Sequence, residues 1–133
     1  DLAVILDCDF HIDADDERLI LKWFHGTDAE PIYQWIPEKN KRTYSSKIQK
    51  YVDETFVVND VQTRYRALRL IRPPTHLSGE YKCQVSTLED DQSKSTQLVI
   101  YGENLQFLYL LRHFVAICFC LFFLTNPRTG KKV

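Results

Sequence analysis

Leu77-Ser78-Gly79-Glu80-Tyr81-Lys82-Cys83-Gln84-Val85 is the stretch that decides how this chain folds. Tyr81, Cys83 and Val85 alternate with Glu80, Lys82 and Gln84, the period-two pattern of a strand with one buried face. A cysteine sits on that face, with a tyrosine two residues before it and Gly79 before the tyrosine. The same alternation surrounds a second cysteine, where Val4, Leu6, Cys8 and Phe10 alternate with Ile5, Asp7, Asp9 and His11. Between the two lies Arg18 to His25, in which Leu19, Leu21 and Trp23 point inward and Ile20, Lys22 and Phe24 outward.

Two cysteines on facing sheets, closed as a disulfide over a buried tryptophan, form the pinned core of an immunoglobulin sandwich. A tyrosine at its E to F corner returns its hydroxyl to nearby backbone. Cys8, Trp23, Gly79, Tyr81 and Cys83 fill those positions here. About 75 residues separate the cysteines, which leaves room for the C′ and C″ strands of a variable-type domain. The expected fold is all-β, an immunoglobulin-like (variable-type) Greek-key β-sandwich with one disulfide, followed by a C-terminal apolar helix. Strand B runs from Ala3 to Phe10, C from Arg18 to His25, and C′ from Pro31 to Pro37, whose bracketing prolines suit an edge. Residues 38–52 read as a long turn plus a weak C″, 54–60 as D, and 65–71 as E with Leu68 and Leu70 in the core. Strand F spans 80–87, a polar F to G loop 88–95, and Thr96, Leu98 and Ile100 form the inward side of G.

The 133 residues carry a net charge of −1, which supplies no field for a nucleic acid or another polyanion. A fixed disulfide implies an oxidising compartment, hence the cell surface or secretion. The chain opens on Asp1 and is in a strand by Ala3, so the sequence reads as starting after processing or as a fragment. Little room precedes Cys8 for a strand A, which is expected to be missing or truncated, leaving a sheet edge unpaired.

At Gly102 the character changes, dividing an immunoglobulin domain at 1–102 from an apolar membrane segment with a short basic tail at 103–133. Leu105 to Leu124 is a mostly apolar run of about twenty residues, the length that crosses a bilayer as a helix. Arg128, Lys131 and Lys132 follow as a basic flank that would lie in the cytoplasm. Arg112-His113 interrupts the run near its middle, where charge is costly. Three readings stay open: a single-pass anchor with Arg112 snorkelling or paired, a lipid-anchor signal cleaved near residues 102–104, and a tail with no function.

Asp13, Asp15, Asp16 and Glu17 could supply oxygen ligands to calcium, but the spacing of a calcium loop is lacking and a solvated B to C loop explains them. His11, His25, His76 and His113 have no partner at metal-ligand spacing. Both domain cysteines are committed to the disulfide, so no nucleophile remains paired with a base. No catalytic residue, metal, cofactor, nucleic acid or small-molecule substrate is expected. Cys118 and Cys120 are either apolar filler or acylation sites. The basic residues between Lys39 and Lys50 read as a solvated face. Asn40, Asn59, Asn104 and Asn126 all fail the glycosylation pattern.

The outward residues of the C, C′, F and G sheet are the candidate site. If Gln34 faces water, Ile32 and Ile36 share its face while Tyr33 and Trp35 pack inward. Ile20, Lys22, Phe24, Ile32, Gln34, Ile36, Lys82 and Gln84 then form an apolar patch rimmed by polar groups, the mark of a protein interface.

Leu21-Lys22-Trp23-Phe24, Pro31-Ile32-Tyr33-Gln34-Trp35-Ile36-Pro37, Val52-Asp53 and Ser78 through Ser86 together resemble the first immunoglobulin domain of the insect beaten-path (Beat) family. The resemblance covers roughly residues 4 to 101. It implies a secreted or membrane-attached neuronal recognition protein that binds an immunoglobulin-superfamily receptor such as one of the Sidestep group. The family normally has a second immunoglobulin-like domain, whereas here the apolar tail follows strand G. Many variable-type domains place an acidic residue six before the second cysteine, where this chain has Leu77, so their salt bridge is not expected. The expected function is extracellular recognition or adhesion by protein binding, homophilic or to another receptor, at the cell surface. The alternative is a secreted single-domain ligand or decoy.

Overall fold

The computed structural model describes residues 2–13 and 15–102. Among these residues seven strands follow one another: β1 (Ala3–Leu6), β2 (Ile20–His25), β3 (Tyr33–Ile36), β4 (Lys41–Tyr44), β5 (Leu68–Ile71), β6 (Gly79–Ser86) and β7 (Asp91–Leu98). Every strand pairing is antiparallel. β1 and β5 form one sheet, and β4-β3-β2-β6-β7 form the other. That order places β1 and β5 as strands B and E, facing C″, C′, C, F and G. Among the described residues no helix is long and apolar enough to cross a membrane. The apolar segment expected at 103–133 lies outside the described residues.

β1, β2, β3, β5 and β6 bury alternate residues because only one face of each sheet meets the other sheet, whereas the edge strands β4 and β7 stay largely exposed. Val4, Leu6, Leu21, Trp23, Leu68, Leu70, Tyr81, Cys83 and Leu98 are all buried there. The Cys8–Cys83 disulfide ties the sheets with its Cα atoms 6.1 Å apart. Trp23 lies in register with Cys83, and its indole Nε1 donates to the Arg66 carbonyl at 3.1 Å. The Tyr81 hydroxyl donates to the Leu77 carbonyl at 2.6 Å, closing the expected corner. Leu77 itself is fully buried, an apolar side chain where an acidic one is common.

Gly79 is required by its surroundings as well as by its backbone. Its φ of +135° suits glycine, and an added Cβ would stand 3.0 Å from His25 Nε2. The His25 ring is stacked on Tyr81 with 4.5 Å between centroids, and its Nε2 lies 2.8 Å from the Ser78 carbonyl oxygen.

Three expectations are corrected. No strand forms at 54–60; among the described residues what remains of strand D is a bridge between Val52, just before that stretch, and Leu70. Asp53 accepts from the Thr55 N–H at 3.0 Å and the Thr55 hydroxyl at 2.6 Å, and Asp60 accepts from the Gln62 N–H at 3.0 Å. These local turns take the backbone away from a ladder. Strand C″ is a regular four-residue strand paired to β3. The expected loop at 88–95 shrinks to a tight turn, because β7 already starts at Asp91 opposite Ser86. The Thr87 N–H donates to the Asp90 carbonyl at 2.8 Å, and the Thr87 hydroxyl oxygen accepts from the Asp90 N–H at 3.1 Å.

Arg66 joins β1 to the turn before β5. Its Nε and Nη2 donate to the two carboxylate oxygens of Asp7 at 2.8 and 3.1 Å, and its Nη1 donates to the Thr63 hydroxyl at 3.0 Å. Asp9 lies 3.3 Å from the same Nη1.

Opening the disulfide by double alanine replacement at Cys8 and Cys83 should cost about 2 to 5 kcal/mol. Thermal melts with and without reductant check this, and an unchanged melting temperature would contradict it. A second expectation concerns alkali. Burial pushes the Tyr33 and Tyr81 phenols well above the ordinary tyrosine range. The stability they contribute is full below the unfolded value of about 10 and falls as pH rises toward the folded values. Ultraviolet titration should show these two ionising only as the domain unfolds.

Candidate interaction face

β2 is the middle strand of five, and its burial alternates perfectly: Leu21, Trp23 and His25 inside, Ile20, Lys22 and Phe24 half-buried on the outer face. Register then places the neighbours. Lys22 stands opposite Gln34 on β3 and Gln84 on β6. Phe24 stands opposite Lys82, and Lys82 opposite Ser95. Gln34 stands opposite Thr43, and Ile36 opposite Lys41. The outer face is thus a continuous surface in which apolar residues are interleaved with amides, hydroxyls and lysines.

Seven of the eight residues expected at this site lie on that face, and Ile32 does not. Ile32 is 2% exposed. It sits in a bend one residue before β3, so the alternation that sends Gln34 and Ile36 outward does not yet apply to it. Its N–H donates to the Trp23 carbonyl and its carbonyl accepts from the Ser45 N–H, both at 2.8 Å, which draws the residue into the sandwich. Tyr33 and Trp35 are buried, as the parity of Gln34 requires.

Phe24 is not bare. The Lys82 ammonium lies 4.9 Å from its ring centroid, a cation over an aromatic face. Further residues belong to the face and were missed from sequence, among them Lys41 and Thr43 of β4 and Ser93 and Ser95 of β7. The signal in β4 was the alternation of Lys41 and Thr43 with Arg42 and Tyr44. Arg42 turns the other way, 4.0 Å over the Tyr65 ring, with Arg64 also 4.9 Å from that ring. Tyr65 in turn meets Trp35 edge-on at 5.8 Å.

The acidic loop folds in on itself. The Asp13 N–H donates to Asp16 Oδ2 at 2.7 Å, and His11 Nε2 lies 3.1 Å from Asp13 Oδ1. Among the described residues no group of three or more His, Cys, Asp or Glu is placed to hold a metal ion. Lys47, one of the basic residues after strand C′, is paired with Asp28 at 2.6 Å, which holds the Asp28 carboxyl below its usual range.

No protein-family model and no curated protein matches the chain. Solved structures do match. A VGSC β subunit, studied for multimeric cell-adhesive interactions, superposes with a TM-score of 0.56 at 17% identity, over 76% of this chain and 85% of that one. Human T-cell immunoglobulin and mucin domain protein 1 gives 0.56 at 18% identity, over 75% and 90%. An amphioxus IgVJ-C2 molecule gives 0.50 at 22% identity over 74% of this chain, which spans 51% of that molecule's length. At such identities the likeness speaks to fold, and it agrees with the sheet order, the disulfide and the tyrosine corner: the chain adopts an immunoglobulin-like sandwich of the variable type.

Proposed function

We propose that this domain is an extracellular recognition or adhesion module that binds another protein through the outer face of β2, β3, β6 and β7. The observation that carries the reading is the placement of Ile20, Phe24 and Ile36 outward on one face beside Lys22, Gln34, Lys82 and Gln84. Half-buried apolar side chains interleaved with polar ones on a rigid sheet suit a protein interface, where a few aromatic or aliphatic anchors carry most of the affinity. The structural neighbours support it, since they include VGSC β subunits described in terms of cell adhesion and a β4 subunit whose parallel homodimers are linked to cell-cell adhesion.

The partner class proposed is another immunoglobulin-superfamily receptor, in line with the resemblance to the Beat family and its Sidestep-type partners. The proposed arrangement is a domain at 1–102 held at the cell surface by 103–133. The interruption of the apolar run by Arg112-His113 favours a second reading, a secreted ligand or decoy.

Phe24 is the proposed anchor. Phe24→Asp should weaken partner binding at least about 30-fold while leaving the melting temperature nearly unchanged. The check is to display the full chain, tagged after Val133, on cells and probe it with multimerised immunoglobulin-superfamily ectodomains. Binding that survives in a folded Phe24→Asp protein would refute the face. Surface staining of the domain with the tag inside the cell is the expected topology, and release of the domain into the medium would favour the secreted reading.

A further inference from the structure

We infer that this face is built to receive an acidic protein surface and that its charge bars a second copy of the same chain. The inference rests on the reading of the face as the binding surface. Its starting point is the position of Lys22. β2 has β3 and β4 on one side and β6 and β7 on the other. Lys22 is the middle one of the outward residues Ile20, Lys22 and Phe24, so it occupies the centre of the five-stranded face. Its cross-strand neighbours, Gln34 and Gln84, are uncharged.

Lys82 lies diagonally from Lys22, a spacing of about 7 to 8 Å in an antiparallel pair. Among the described residues neither lysine has a carboxylate within ion-pair distance; the ion pairs there use other residues. Two acidic groups share the face: Glu80, the next outward residue to Lys82 along β6, and Asp91 at the start of β7, where it accepts the Ser86 hydroxyl; neither forms an ion pair with Lys22 or Lys82.

This geometry discriminates between occupants. A dimer with its two-fold axis through the centre of the face sets Lys22 against its own mate, with Lys82 beside it and water excluded. Lys22 then meets its own mate with no carboxylate of its own face at ion-pair distance, and such juxtaposition suppresses pairing. A partner with Asp or Glu at the centre of its face turns the same two lysines into charge-assisted hydrogen-bond donors. Ile20 and Phe24, on either side of Lys22 along β2, demand a shaped apolar counter-surface, which a protein offers and a polyanionic glycan does not.

The test uses suspension cells displaying the full chain, with display verified by staining. One population carries the wild type and another carries Lys22→Glu with Lys82→Glu, which serves as the acidic-faced probe. Wild-type cells should not aggregate among themselves. Mixed populations should co-aggregate, at least about tenfold above the wild-type background. The aggregates should weaken as salt is raised toward about 0.15 M at constant osmolality, where the screening length is about 8 Å. Should the Glu pair fail to reach the surface, Lys22→Gln with Lys82→Gln takes its place and should relieve the bar on self-aggregation.

Phe24-dependent aggregation of wild-type cells would overturn the inference, because a second copy would then be the occupant. So would displayed populations that stay apart when mixed. Lysine-dependent capture of labelled heparin by wild-type cells that do not join the mixed aggregates would assign the lysines to a glycan and overturn it too. Mixed aggregates indifferent to Phe24→Asp would instead refute the underlying reading of the face.

Discussion

The covalent link between Cys8 and Cys83 is the constraint on which the rest of the structure depends, and its effect reaches beyond stability. Because Cys83 must face the opposite sheet, the phase of β6 is fixed along its whole length. Trp23 sits in register with Cys83, so the phase of β2 is fixed with it. In a strand of period two, fixing one inward residue sends its neighbours outward, and a slip by one residue would exchange the faces. Lys22 and Phe24 are therefore outward for the same reason that Trp23 is buried. The interaction face is the reverse side of the core, and the two cannot be altered independently.

The opposing sheet is small for that task. β1 and β5 are four residues each, yet they must cover the inner face of a five-stranded sheet. Cover at the remaining flank comes from Ile48, Tyr51, Val52 and Tyr65, on either side of the segment that a strand D would occupy, held by side chains in place of a ladder. The Tyr33 hydroxyl donates to the Tyr65 carbonyl at 2.7 Å and the Trp23 indole to the Arg66 carbonyl, so two buried aromatics of the large sheet each fasten the turn before β5. Arg66 then returns to Asp7 at the end of β1. The Thr55 hydroxyl, then Arg69 paired at 2.6 Å and the Thr55 N–H, hold the Asp53 carboxyl below its usual range. Irregular backbone is kept in place by polar fasteners with fixed geometry, which is how a short sheet can close a broad core.

The residues that were legible from sequence alone are those whose position follows from alternation. Cys8, Trp23, Tyr81 and Cys83 carry the fold, and parity then gives the facing of Ile20, Lys22, Phe24, Gln34, Ile36, Lys82 and Gln84. What was not legible is where alternation stops. Ile32 has the right parity for the outer face, but the strand begins one residue later, and two backbone hydrogen bonds decide the matter. Strand D was lost to Asp53 and Asp60, whose carboxylates bond the backbone two residues on, a competition invisible to a count of apolar positions. β7 failed in the opposite sense. Asp91 to Ser95 looks like a loop because it is polar throughout, yet an edge strand with both faces in water needs no apolar residue to pair with its neighbour.

Phe24 and Lys82 show how one surface can serve both solubility and recognition. An aromatic ring on an exposed sheet invites nonspecific contact, and here the cross-strand lysine lies over it at a distance at which the ring quadrupole attracts the cation. In the free domain that contact screens the ring and holds the ammonium in place. A partner must therefore do two things at once: offer an apolar surface to the ring, and offer the ammonium something at least as favourable as the ring it leaves. A purely apolar surface meets the first demand and strands the lysine, so it is rejected by the cost of an uncompensated charge. The pair acts as a filter, and its selectivity comes from the lysine as much as from the phenylalanine it covers.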